Sequence, residues 1–293
     1  GQRVPPPYMS TMFISIISKS LIMKKLLYSS SIFSIILLLI SCNVDDSQHL
    51  EQRNWSLSWS DEFNGEKGTL PDDSKWNIDI GNGTDGWGNQ EYQYYTDHPE
   101  NLSMDGEGNL IITARNELFG GQPFTSGRIN TKGHFSQTYG RFEARIKTPY
   151  GPGIWPSFWL LGADLDDKPW PQCGEIDIME LRGQIPNVVN GSVHGPNYSS
   201  GSAISKSFGL ENGRFDTDYH IYAIEWGIDY LEFYVDDTLY QKLTPQDLPG
   251  NWVFDHDFFI ILNVAVGGNY VGFPTSKTPF PQQMVVDYVR VYN

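Results

Sequence analysis

Between residues 55 and 292 the chain has segments that alternate apolar and polar residues at period two, with no internal repeat, no low-complexity linker and no long helical pattern. Period two is the mark of strands with one dry face. In Gly140–Lys147, Phe142, Ala144 and Ile146 face one way, and Arg141, Glu143, Arg145 and Lys147 the other. Residues 221–226 and 230–235, separated by Gly227-Ile228-Asp229, suit a hairpin. Phe258–Val266 is nearly all apolar, as expected of a strand buried within a sandwich. Residues 284–292 read as a closing strand, with Val285, Asp287, Val289 and Val291 on one face and Val286, Tyr288 and Arg290 on the other. One short helical turn is expected at 244–248. The 29 glycines and 18 prolines supply the turns between strands. Together these features predict an all-β domain of two stacked antiparallel sheets over residues 55–293.

The front of the chain is of another kind. Met23-Lys24-Lys25 opens a positive region, and residues 26–40 form a short apolar run ending in Leu39-Ile40-Ser41-Cys42. Such a run is short for a bilayer span and suits a signal peptide. A small residue directly before cysteine is similar to the lipobox of bacterial lipoproteins, which implies lipidation of Cys42 as the mature N-terminus. Residues 23–42 are therefore expected to be a lipoprotein-type signal and 43–54 a polar tether. Residues 1–22 fit neither and read as an upstream or non-native segment. The expected destination is the outer membrane or cell surface, or secretion if Cys42 carries no lipid.

Net charge is formally -15. The cations of the first 42 residues (Arg3, Lys19, Lys24, Lys25) have no acidic partners there, so the rest of the chain stands near -19. A body this acidic repels nucleic acid and anionic membrane, leaving a lipid anchor as the only expected membrane contact. A neutral polysaccharide is compatible with it. Cys42 and Cys173 are the only cysteines, too few for a disulfide scaffold. A monomer is the default expectation.

The most informative stretch is Gly174-Glu175-Ile176-Asp177-Ile178-Met179-Glu180, three carboxylates in an otherwise apolar strand. Buried strands do not carry free charges without compensation. In a regular strand Glu175, Asp177 and Met179 share a face and Glu180 points away. One extra residue, taken up as a bulge near Ile178 or Met179, would bring Glu180 back. Three carboxylates on one groove could then serve a retaining glycosidase, which needs two about 5 to 5.5 Å apart. Crowded negative charges raise one another's pKa and keep one carboxyl protonated. An acidic solvated face or a metal site would also explain the motif.

Aromatic and amide residues surround it. Trp155 and Trp159, four apart, share a face if the segment is extended, and either can stack on a sugar or belong to the core. The run from Trp87 to Tyr95 mixes Asn89, Gln90 and Glu91 with rings, which suits sugar hydroxyls and sugar faces; Tyr94 and Tyr95 are equally readable as core. His194 can meet a carboxyl or a sugar hydroxyl, and Trp226 can line the groove or the core.

These segments together resemble glycoside hydrolase family 16, in particular its bacterial laminarinase-like endo-β-1,3-glucanases. The likeness runs from Trp59-Ser60-Asp61-Glu62-Phe63-Asn64-Gly65 through Trp87-Gly88-Asn89, Ser126-Gly127-Arg128-Ile129, residues 140–160 and 174–180, and Leu262-Asn263-Val264-Ala265-Val266-Gly267-Gly268, to Val286-Asp287-Tyr288-Val289-Arg290-Val291-Tyr292. It implies a β-jelly-roll sandwich with a concave substrate cleft, Glu175 as nucleophile, Asp177 as assistant and Glu180 as acid/base. It also implies substrate contacts at Asn89, Arg128, Trp155 and Trp159. Catalysis in this family needs no cofactor, but a structural calcium often sits by the aspartate matching Asp287. The expected activity is endo-hydrolysis of β-1,3-glucan, with mixed-linkage glucan as a further substrate. A galactan hydrolase of the same family and a non-catalytic carbohydrate-binding module are the alternatives.

Overall fold

The computed structural model describes residues 53–293. The signal, lipobox and most of the tether, Cys42 included, lie outside the described residues. Seventeen strands run in the order β1 (Leu57–Asp61), β2 (Asn77–Ile78), β3 (Gln93–Tyr95), β4 (Leu102–Met104), β5 (Leu110–Ala114), β6 (Phe124–Ser126), β7 (Arg128–Asn130), β8 (Gly140–Lys147) and β9 (Ile154–Gly162). They continue as β10 (Glu175–Leu181), β11 (Val188–His194), β12 (Ile204–Gly209), β13 (His220–Gly227), β14 (Tyr230–Val235), β15 (Thr238–Leu243), β16 (Phe258–Val266) and β17 (Gln282–Tyr292). The expected helical turn is present as one turn at Pro245–Asp247.

Two antiparallel sheets form the expected jelly-roll sandwich. One has the order β15-β14-β13-β8-β17-β5-β4, with β1 also on β17; the other has the order β12-β11-β10-β9-β16-β7-β2. β3 and β6 make a small parallel pair beside them. The dry faces meet in one core built from Phe142, Ala144 and Ile146 of β8, Phe158 and Leu160 of β9, and Ile260, Leu262 and Val264 of β16, all fully buried. β16 lies between β9 and β7, and all nine of its residues are buried, as its unbroken apolar run requires. The β13–β14 hairpin turns on Ile228-Asp229, with Gly227 paired to Tyr230.

Two sequence expectations change. In β17 the pairing to β8 slips between Val286 and Tyr288, so a bulge at Asp287 interrupts the alternation. Val286 therefore joins Val289 and Val291 in the core, and Tyr288 points outward. The folded body also begins earlier than residue 55. Arg53 bridges Glu225 and Glu232 on the outer face of the larger sheet, at 2.6 and 3.2 Å.

Candidate active site

β10 carries the expected bulge. Against β9, Asp177 pairs with Trp159 and Met179 with Phe158, which leaves Ile178 unpaired. Against β11, Asp177 pairs with Ser192 and Glu180 with Asn190, so Ile178 and Met179 together oppose Gly191. Both of those side chains are buried in the core. Glycine is required at 191, because a Cβ there would lie 2.3 Å from Tyr240 Oη and 2.7 Å from Phe233. The bulge turns Glu180 onto the outer face of the seven-stranded sheet with Glu175 and Asp177. β10 is thus dry on one side and triply acidic on the other.

Asp177 and Glu180 are buried, 4% and 8% exposed, and Glu175 is largely covered rather than solvated. The solvated-face reading of the motif therefore fails. Burial is the largest influence on all three and raises each pKa, Glu175 and Glu180 to about 8 and Asp177 to about 7. The negative charge of Asp177 pushes Glu175 and Glu180 up further. Donors oppose this. The Trp170 indole N–H donates to Glu175 Oε2 at 2.9 Å. The Trp155 indole N–H donates to Glu180 Oε1 at 3.0 Å, and the Ser192 hydroxyl to Glu180 Oε2 at 3.4 Å.

His194, at the end of β11, stands beside Glu175 and Asp177 rather than beside a free sugar site. Its Nε2 is 3.0 Å from Asp177 Oδ2 and 3.6 Å from Glu175 Oε1. The backbone N–H of Ser200 donates to His194 Nδ1 at 3.2 Å. An accepting Nδ1 places the ring proton on Nε2, facing the carboxylates. The same bond decides the metal question for this trio. Ligand atoms of Glu175, Asp177 and His194 lie within 4.8 Å of one another. A protonated Nε2 has no lone pair to offer, so the donor set does not fit a metal ion. Asp177 Oδ2, though close to His194, has no aligned donor and is left polar and buried.

β9 and its neighbours extend the polar face. The Trp159 indole N–H donates to Asn263 Oδ1 of β16 at 2.8 Å, which fixes Trp159 on the same face as Trp155. Arg128 of β7 forms an ion pair with Asp79 at 2.9 Å. Its guanidinium lies between two rings, 4.3 Å from the centroid of Trp87 and 5.1 Å from that of Trp159. Asn89 projects from a tight turn in which Asp85, Trp87 and Gln90 all have positive φ, between 50° and 58°. Strain of that kind in non-glycine residues concentrates at functional loops.

Several expected contacts take other places. Glu91 is 6% exposed, and both its oxygens are engaged, by Asn89 Nδ2 at 3.2 Å and Gln93 Nε2 at 2.6 Å. It supports Asn89 from beneath instead of reaching a sugar. Tyr95 is fully buried and links Glu91 to Asn263 through its hydroxyl. Trp226 is core: it is 1% exposed, and its indole donates to the Phe254 carbonyl at 3.0 Å. β13 belongs to the opposite sheet, and its even-numbered residues face inward. Asp287 pairs with Arg145 at 2.5 Å. A calcium ion there would have to displace that guanidinium and draw its remaining oxygen ligands from backbone carbonyls and water. The sequence reading missed Trp170, Ser192, Asn263 and Tyr270; the last packs on Trp155 with ring centroids 5.0 Å apart.

The family model of glycosyl hydrolases family 16 matches residues 87–290, a stretch that contains Glu175, Asp177 and Glu180 and the residues that contact them. The chain belongs to glycosyl hydrolases family 16. A Rhodothermus marinus protein named beta-glucanase is 42% identical over 264 residues, which cover 87% of this chain and 91% of that one. A glucan endo-1,3-beta-glucosidase A1 from Niallia circulans is 39% identical across 81% of this chain but only 38% of its own length. Among solved structures, the laminarinase catalytic domain of Thermotoga maritima superposes with a TM-score of 0.78 at 45% identity, covering 82% of this chain and 99% of that domain. In this family 16 member the fold and the acidic strand therefore come as one unit.

Proposed function

We propose that this chain is an endo-acting, retaining β-1,3-glucanase that also accepts mixed-linkage β-1,3-1,4-glucan. The observation that carries the chemistry is the bulge in β10, which gathers three carboxyls on one sheet face. The substrate follows from the relatives named for glucan hydrolysis. In the first step Glu175 attacks the anomeric carbon as a carboxylate. The glycosidic C–O bond breaks, and its electron pair goes to the leaving oxygen, which takes the proton of Glu180. In the second step Glu180 takes a proton from water. That water attacks the same carbon and releases Glu175, so the configuration is restored. Trp170 and His194 hold Glu175 in place, Trp155 orients Glu180, and Asp177 supplies the negative field that keeps Glu180 protonated. Asn89, Arg128 and the faces of Trp155 and Trp159 are the sugar contacts.

Laminarin, mixed-linkage glucan and agarose incubated in parallel with the folded domain test the substrate. Short β-1,3-linked oligosaccharides from laminarin and none from agarose are expected. Cleavage confined to agarose would keep the chemistry and move the substrate to a galactan.

The pH profile tests the roles. Glu180 must be protonated to act, and its carboxyl is pushed up to about 8. The same burial raises Glu175, which must lose its proton to attack, so kcat/KM should fall as pH rises past about 8, where the Glu180 proton is lost, and fall on the acid side as Glu175 takes one up. The carboxyls titrate as a set, so both limbs belong to the group. Asp177→Asn removes a charge that raises both Glu175 and Glu180, and both limbs should then move to lower pH. An unmoved alkaline limb would show that Asp177 does not hold the proton on Glu180.

A further inference from the structure

Tyr92 and Phe273 are 41% and 44% exposed, yet they stack on each other with ring centroids 4.5 Å apart and planes 25° apart. Two large rings left at the surface of an acidic protein mark a place of contact. Stacking fixes both rings, and each stays partly open to solvent. The backbone holds them there as well, since the Tyr92 N–H donates to the Val266 carbonyl at the end of β16 at 2.8 Å.

Their position says what would cover them. Gly267 and Gly268 follow Val266 directly. A Cβ on Gly267 would lie 3.1 Å from Phe273 and 3.5 Å from Tyr92. A Cβ on Gly268 would lie 3.0 Å from the Asn89 carbonyl and 3.5 Å from Trp155. Consecutive Cα atoms are about 3.8 Å apart, so the ring pair begins one residue beyond the wall that carries Asn89 and Trp155. We propose that Tyr92 and Phe273 form an outlying sugar-stacking subsite, which holds the β-glucan chain where it continues past the cleavage site. Aromatic faces suit this occupant, because a β-linked glucosyl ring presents its C–H faces flat and its hydroxyls at the edge. Rigid rings also lose little conformational entropy on binding. A remote contact of this kind reads polymer length rather than the bond that is cut, and it rests on the β-glucanase reading of the site.

Tyr92→Ala, Phe273→Ala and the milder Tyr92→Leu, which keeps apolar packing on Gly267, test it. Each is assayed on laminarin and on the shortest oligosaccharide the enzyme cleaves, with thermal unfolding as the control for folding. The expected result is a rise of about fivefold to tenfold in KM for laminarin at unchanged kcat, the worth of one aromatic contact. The short substrate should be unaffected. No change on the polymer would overturn the proposal, as would an equal loss on both substrates. Loss of a dimer in sedimentation, with laminarin kinetics unchanged, would assign the rings to a second copy of the chain and overturn it too. If the unaltered enzyme releases no sugar from laminarin, the β-glucanase reading itself fails, which is separable from all of these outcomes.

Discussion

Glu175→Gln should leave a protein that binds laminari-oligosaccharides and does not cut them, with kcat reduced about a thousandfold or more. The amide keeps the shape of the side chain and can still meet the Trp170 N–H through its oxygen. It cannot attack the anomeric carbon, so no covalent intermediate forms. The same substitution should raise the unfolding temperature. Glu175, Asp177 and Glu180 all have folded pKa values above those of free carboxyls, chiefly because they are buried. A carboxyl raised on folding costs stability as pH climbs above its unfolded pKa, and the cost is complete once pH exceeds the folded value. At pH 8 the trio therefore opposes folding, and a neutral amide removes one contributor. Gain in stability with loss of turnover is the pattern of a site strained for function. Titration calorimetry, product analysis and a thermal scan of the one variant check all three statements. Full turnover by Glu175→Gln would sink the nucleophile assignment.

The parts legible in the sequence were those governed by parity along a strand. β8 and β16 match their expected spans, and the bulge in β10 followed from one fact: Glu180 sits at the wrong parity to share a face with Glu175 and Asp177. Parity would also have placed Trp226, because Tyr222, Ile224 and Trp226 alternate with Ala223 and the partly exposed Glu225. The residue types alone leave Trp226 open between groove and core, and this local parity decides for the core. β17 misled for the opposite reason, since its bulge at Asp287 leaves no mark in a run of valines and tyrosines. The loop contacts were not readable at all. The Ser200 amide reaches His194, and Trp170 reaches Glu175, only because the loops after β11 and β9 fold back over the strand ends. Glu91 reads as an exposed sugar ligand until Asn89 and Gln93 are seen to close over it. These partners lie only two to six residues apart, but each contact depends on how a loop turns, which no strand or helix period encodes.

Trp226→Ala separates the core from the polar face most directly. The ring packs edge-on against Tyr139 and Phe258, with centroids 5.4 and 5.3 Å apart, and near Phe142 at 6.0 Å. Truncating a buried tryptophan costs about 3–5 kcal/mol through lost transfer energy and the cavity left behind. The Phe254 carbonyl also loses its donor, which adds about 1–3 kcal/mol unless water enters. A domain of ordinary stability has only about 5–15 kcal/mol in hand, so the urea midpoint should fall steeply, with its slope unchanged if unfolding stays two-state. Trp226→Phe should recover most of the packing and none of the hydrogen bond, giving an intermediate midpoint. In the cold, where a folded fraction persists, KM for laminarin should match that of the unaltered enzyme. The reason is topological: β13 lies in the sheet opposite β10, and Trp226 points into the space between the two. A sugar-stacking tryptophan would show the reverse, an unchanged midpoint and a raised KM. That outcome would mean that the inward face of β13 had been assigned to the wrong side of the sandwich.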